Sequence, residues 1–131
     1  MASIYAEIDS MKSLAGLSWE MAAQLIYKDK NDIIIDLNGH TMGSGLPILA
    51  HNPAPLQMSY LGFSETTGSP FIDYYIADKL SCPPDITSAG FSEKIGYIPP
   101  SFMVTDFTQL VRKEALMPRM SKKVYVITYY I

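Results

Sequence analysis

The sequence predicts an α/β domain built on a mostly parallel sheet, and three observations carry that expectation. The run Ile33-Ile34-Ile35-Asp36-Leu37 is apolar with almost no alternation, as in a parallel strand covered on both faces. A helical pattern stops just before it, and a helix followed by a buried strand is half of a βαβ unit. The run then gives way at once to a polar, glycine-bearing loop, Asn38-Gly39-His40-Thr41-Met42-Gly43-Ser44-Gly45. Loops after such strands are where open α/β sheets bind ligands.

The elements follow in order. Ile4, Tyr5, Ile8 and Met11 have helix-compatible spacing in a weakly patterned N-terminal segment, 1–16. Ser18 is placed to cap a helix from Trp19 to Asp29, with Glu20 near its positive end, Lys28 near its negative end, and Ala22, Leu25 and Ile26 as its apolar stripe. After the strand 33–37 and its glycine loop, Leu46 to His51 predicts a short helix, since Pro47 fits a first helical turn. Pro53-Ala54-Pro55 ends it, and Leu56 to Leu61 alternates like a strand that Gly62 closes. Phe71 to Ala77 predicts a third strand with Asp78 at its end, and Ile95 to Ile98 a short fourth. The segment 80–93 between them, with Pro83, Pro84 and Gly90, reads as connection rather than core. Phe107, Leu110, Val111 and Leu116 suggest a helix ended by Pro118, and 124–131 is strongly β-prone. Ending on an apolar run implies that this last strand pairs with a sheet edge or that the chain is cut short.

Composition narrows the function classes. At 131 residues the chain is about one domain, and 48% hydrophobic against 18% charged residues is enough to build a packed core. A net charge of -3 offers no basic field for a nucleic-acid backbone, so no nucleic-acid partner is expected. Cys82, the single cysteine, can form no intramolecular bridge, which fits a reducing, cytoplasmic or nuclear setting. No apolar run approaches the roughly 20 residues of a membrane helix, and the N-terminus, with Glu7 and Asp9, is not a signal peptide; no membrane partner is expected.

The loop 38–45 lacks the glycine order of a dinucleotide fingerprint and has no P-loop lysine. It reads either as a plain strand-end turn or as a site where glycines let amides approach a sugar or phosphate, with His40 and Thr41 supplying hydrogen bonds. His51 fits a helix-end position near the last carbonyls. Two histidines, one cysteine and scattered carboxylates make no credible metal set. Asp36, Asp73 and Asp78 stand at strand positions where pairing with backbone amides or lysines is commoner than catalysis, so no residue is assigned as catalytic. Tyr74-Tyr75 and Tyr129-Tyr130 are most simply packing aromatics.

Taken together, Asp36-Leu37-Asn38-Gly39-His40-Thr41-Met42-Gly43, Pro53-Ala54-Pro55-Leu56-Gln57, Tyr60-Leu61-Gly62-Phe63 with Thr67-Gly68, Phe71-Ile72-Asp73-Tyr74, Ile76-Ala77-Asp78 and Ser92-Glu93-Lys94 resemble the catalytic region of the protein O-linked N-acetylglucosamine transferases, a family that also contains the Spindly-type O-fucosyltransferases. The resemblance implies a partial Rossmann-like lobe of a two-lobe GT-B-type glycosyltransferase over 17–106, followed by a divergent helix and strand over 107–131. It implies an inverting, metal-independent transfer of N-acetylglucosamine from UDP-GlcNAc to Ser or Thr of protein substrates, with no resident cofactor. The loop matching His40 and Thr41 lies on the family's cleft, and the Leu-Gly matching Leu61 and Gly62 lines its sugar pocket.

Departures accompany the match. Ser64-Glu65-Thr66 stands where the family commonly has Pro-Gly-Thr, and basic residues common near Gly45 and Asn52 are missing. A charge at Glu65 would weaken a diphosphate's binding unless it points away. The family's upstream Asp-Phe-x-x-His-Pro segment does not occur here. Its second lobe, a required partner that carries most of the nucleotide contacts and the main charge stabilisation, lies outside the match, so the isolated chain is expected to be inactive. Two other readings are a non-catalytic interaction module derived from this lobe and an unrelated nucleotide-binding Rossmann domain.

Overall fold

A computed structural model of the chain describes residues 9–87 and 89–103 and, as backbone, the strand 124–127. The order is α1 (Trp19–Lys28), β1 (Ile33–Asp36), α2 (Leu46–Leu49), β2 (Leu56–Tyr60), β3 (Tyr74–Ala77), α3 (Pro84–Thr87), β4 (Lys94–Tyr97) and β5 (Val124–Ile127). The strands form one sheet in the order β4-β3-β2-β1-β5. Every pairing is parallel, with Ile33 opposite both Leu56 and Val124. Strands β1 to β4 step across the sheet in one direction, and β5 returns to the far side of β1, so the strand order reverses at β1.

Helix α1 begins as the sequence dictates. The Ser18 hydroxyl accepts from the Met21 amide at 3.2 Å, a cap worth about 1 kcal/mol. Asp29 follows the helix as its C-cap and pairs with Lys12. The helix buries Ala22, Ala23 and Ile26 against Ile34 of β1 and Leu46, Ile48 and Leu49 of α2. Burying Ile26 and Ile34 contributes about 2 kcal/mol each. Both helices therefore cover one face of the sheet, and the register puts Ile34, Asp36, Gln57, Ser59, Tyr75 and Ile95 on that face. A smaller cluster, Tyr75, Ala77 and Cys82 with Phe91, Ile95 and Tyr97 packed against it, continues the core toward the β4 edge.

Several boundaries and burials differ from the sequence reading. β1 is not equally covered on both faces: Ile34 and Asp36 are buried, while Ile33 and Ile35 are half-buried. The alternation of β2 is present, but its polar set faces inward; Gln57 and Ser59 are 1% exposed and Leu56, Met58 and Tyr60 half-buried. Gln57 tolerates this because its amide nitrogen donates to Leu49 O at 3.0 Å and Phe71 O at 2.8 Å, tying β2 to two connections. The third strand starts at Tyr74 rather than Phe71. Residues 71–73 turn instead, with Ile72 N bonded to Ser69 O and the Asp73 carboxylate taking the Gln57 amide at 2.9 Å.

The segment 80–93 is more than a connection: it contains α3 and buries Cys82 and Glu93. Met11 is 66% exposed and belongs to no helix; Ile4, Tyr5 and Ile8 lie outside the described residues. So do the helix expected after Asp106 and the pair Tyr129-Tyr130. Within the final β-prone run, 124–127 pairs with β1 at the edge of the sheet. Among the described residues no helix is long and apolar enough to cross a membrane.

Candidate functional site

β1 ends at Asp36, whose carboxylate is fully buried and accepts from Gly39 N at 2.7 Å and Asn38 N at 3.3 Å. This closes the turn a short carboxylate favours at a strand end. Burial pushes the Asp36 carboxyl above its usual range, the two amide bonds and the nearby His40 offsetting only part of that push. Ser59, its register partner, is buried beside it, and its hydroxyl has no partner among the described residues. Carboxylate and hydroxyl form a polar floor beneath the turn.

Above that floor the loop is stitched to itself. Thr41 N and Oγ1 both donate to Asn38 O, at 3.1 and 2.8 Å, and Ser44 Oγ donates to Gly39 O at 2.5 Å. The Thr41 hydroxyl has thus spent its proton on the turn and keeps only acceptor capacity for a ligand. Two glycines clamp the loop to the end of β2. A Cβ on Gly62 would lie 1.4 Å from the Leu37 carbonyl oxygen, and a Cβ on Gly39, which has φ +51°, would lie 2.4 Å from Phe63 Cβ. No side chain fits at either place, so at Gly62 the backbones after β1 and β2 meet directly and at Gly39 the loop rests on the Phe63 side chain. Leu61 is held between them in the left-handed region, at φ 63°, and is 39% exposed.

His40 is exposed at the rim. Its Nε2 lies 2.6 Å from Thr67 O, and the ring meets Phe63 edge-on with centroids 5.4 Å apart. The structure therefore brings His40, Thr41, Leu61 and Gly62 together at the carboxyl ends of β1 and β2, with Gly62 contributing through closeness of backbone rather than a side chain. Glu65 is exposed. His51 follows α2, exposed, its amide bonded to Ile48 O, as its helix-end reading requires.

Sequence reasoning missed the contact between Thr67 and Glu93. Both are buried; Glu93 Oε1 accepts from the Thr67 amide at 2.7 Å and from its hydroxyl, and Oε2 accepts from Thr66 Oγ1 at 2.6 Å and Ser92 Oγ at 3.0 Å. Burial raises the Glu93 carboxyl, but these bonds more than reverse it and hold it below the ordinary range. Nothing local marks a Thr-Thr pair and a Ser-Glu pair as partners across two connections. The carboxylates Asp36, Asp73 and Asp78 do bind backbone amides, as their strand positions suggest.

A cavity of about 440 Å³ lies at the other end of the sheet, lined in part by Gln57, Phe71 and Asp73, and includes none of these site residues. Among the described residues no group of three or more His, Cys, Asp or Glu could hold a metal ion. The chemistry thus gathers at the carboxyl end of β1, the strand where the order reverses, which is where open α/β sheets place ligands.

Comparison with known proteins shows the family. The profile of glycosyl transferase family 41 matches residues 2–126. Over 106 residues the chain is 37% identical to the Arabidopsis thaliana protein named Probable UDP-N-acetylglucosamine--peptide N-acetylglucosaminyltransferase SEC, covering 81% of this chain and 11% of that one. Over 91 residues it is 40% identical to the UDP-N-acetylglucosamine--peptide N-acetylglucosaminyltransferase of Caenorhabditis elegans, covering 70% of this chain and 8% of that one. The chain thus spans about a tenth of the length of these relatives. Among solved structures it resembles the K341M mutant of the Thermobaculum terrenum O-GlcNAc transferase with a TM-score of 0.70 and 28% identity, over 74% of this chain and 18% of that one. The family match over most of its length and the fold likeness agree, and the chain belongs to glycosyl transferase family 41.

Proposed function

We propose that the chain forms part of the first Rossmann-like lobe of a GT-B transferase that moves N-acetylglucosamine from UDP-GlcNAc to Ser or Thr hydroxyls of proteins. The turn 37–45 with Leu61 and Gly62 then builds one wall of the sugar cleft. The observation that carries the reading is the glycine-locked junction of the loops after β1 and β2, sited where the strand order reverses, in a chain of this family. In the transfer, the acceptor hydroxyl oxygen bonds to the sugar's anomeric carbon and loses its proton to a group outside this chain, as the carbon–oxygen bond to the diphosphate breaks and the diphosphate leaves with its electron pair. Leu61 offers the sugar an apolar contact, Thr41 Oγ1 an acceptor, and the locked backbone fixes both. The donor diphosphate and the reacting groups are assigned to the rest of the two-lobe enzyme, in a metal-independent reaction and a cytoplasmic or nuclear setting. Within this reading 17–106 is the lobe and 107–131 its divergent continuation.

Replacing the matched segment of the Caenorhabditis elegans relative by residues 17–106 of this chain tests the proposal. The chimera is expected to transfer N-acetylglucosamine to a peptide, and the 131 residues alone to show no turnover. A folded chimera that binds UDP but transfers no sugar would contradict it.

A further inference from the structure

We infer that Glu93 is a positioning residue for His40: acting through Thr67, it holds the imidazole as the Nε2–H tautomer and leaves Nδ1 as a hydrogen-bond acceptor at the rim of the cleft. The group it would receive there is a hydroxyl or amide N–H of the bound ligand. The cleft's identity rests on the proposed function; the tautomer does not.

A backbone carbonyl only accepts, so the ring nitrogen 2.6 Å from Thr67 O carries the proton. In the neutral ring the other nitrogen is then an acceptor. Nδ1 has no hydrogen-bond partner among the described residues, and His40 is exposed. The Thr67 carbonyl also takes a longer 3.3 Å bond from Ser69 Oγ, but its position is set from the other side of the residue. Glu93 Oε1 takes both the Thr67 amide and the Thr67 hydroxyl, while Oε2 takes Thr66 Oγ1 and Ser92 Oγ. Four donors converge on one carboxylate that is 5% exposed, and the peptide plane that carries the Thr67 carbonyl is tied to the same cluster because Gly68 N donates to Thr66 Oγ1 at 3.1 Å, so turning the carbonyl away from His40 breaks bonds anchored on Glu93. Phe63 closes off the ring from a second direction. A carboxylate at the foot of β4 thus fixes, two contacts away, the proton of an imidazole at the head of β1.

The bland reading makes the same bonds a staple between connections, and a staple need not control the ring's proton. Two-bond proton–nitrogen spectra of His40 in the whole chain separate the two readings, with exposed His51 as internal reference. The expected result is a single Nε2–H tautomer with a water-protected Hε2 signal in the wild type. Glu93→Gln, which keeps Oε1 as an acceptor, is expected to retain that signal. Glu93→Ala is expected to lose it to exchange, the His40 pattern averaging toward that of His51. An Nδ1–H tautomer or an unprotected Hε2 in the wild type would overturn the inference, and so would an unchanged signal in folded Glu93→Ala. If Glu93→Ala does not fold, Thr67→Val removes only the hydroxyl arm; partial loss of protection then supports the inference and full retention overturns it. No sugar donor is present in these spectra, so their outcome and that of the chimera are independent.

Discussion

Asp36 and Asp78 each sit at the carboxyl end of a strand and each take backbone amides, yet their carboxyls move in opposite directions. Asp36 holds two amides in full burial, and burial wins. Asp78 takes the amides of Ser81 at 2.7 Å, Phe102 at 2.8 Å and Leu80 at 2.9 Å, with the Ser81 hydroxyl at 3.0 Å, and is held down to about 2. Deeper burial at Asp36 and more donors at Asp78 together decide which effect wins. The saturated carboxylate ties a connection down from both sides, since Leu80, Ser81 and Phe102 all end on it. The under-bonded one lies beneath a loop that is fixed mainly by contact of backbones and that presents His40 outward. The region after β1 is therefore held by shape, the region after β3 by charge.

That contrast breaks most visibly at the glycines. Gly62→Ala sets a methyl against the Leu37 carbonyl and is expected to cost about 3 kcal/mol or more, and Gly39→Ala, strained by its φ as well, about 2 to 3 kcal/mol. Urea titration checks both; a loss below about 1 kcal/mol for Gly62→Ala would show that the two loops can separate freely.

Removing the charges should rank the two carboxylates. Asp78→Asn loses charge-assisted bonds and is expected to destabilise clearly, whereas Asp36→Asn keeps the short Gly39 bond, relieves a buried charge and should stay within about 1 kcal/mol of the wild type. Equal losses by thermal or urea unfolding would erase the distinction.

Acid sharpens it further. Asp78, with its folded value near 2 against an ordinary 3.8, contributes stability that is present above about pH 4 and lost as pH falls toward 2. Glu93, also lowered, adds to that acid loss. Asp36, raised, acts in reverse: its buried charge costs stability at neutral pH, and the cost disappears on protonation. Stability measured from pH 7 to 2 should therefore fall less steeply in Asp78→Asn than in the wild type, and more steeply in Asp36→Asn.

The smallest effect is expected at Leu61. Replacing a left-handed leucine by glycine relieves about 1 kcal/mol of backbone strain while freeing the unfolded chain, so Leu61→Gly should be stability-neutral within about 1 kcal/mol. If the proposed cleft wall is right, transfer by the chimera should nonetheless fall, because the substitution removes the apolar contact that this reading gives Leu61 with the sugar.

Much of this was legible in the chain. The strand at 33–37, the Ser18 cap and the Pro47 start each act through neighbours in sequence, and each appears within a residue or two of its expected place. The role of strand-end aspartates as amide acceptors was legible for the same reason. What sequence could not show depends on contacts between connections. Alternation along 56–61 did not show that Gln57 and Ser59 face inward, because the partners that let Gln57 be buried lie on α2 and the loop before β3. The bond from Glu93 to Thr67 spans two connections, and residue spacing carries no signal for it. Gly62 was assigned to the site from family resemblance, and only the Leu37 carbonyl explains why a glycine must stand there.

The most direct test of the sugar-cleft wall is the kcat/KM of the chimera carrying His40→Ala, measured beside its thermal midpoint. Losing one hydrogen bond to the bound donor predicts a fall of about tenfold, equivalent to about 1.4 kcal/mol, in a chimera still folded at the assay temperature despite the lost bond to Thr67 O. An active, folded chimera whose kcat/KM is unmoved by His40→Ala would contradict the claim that this loop faces the sugar.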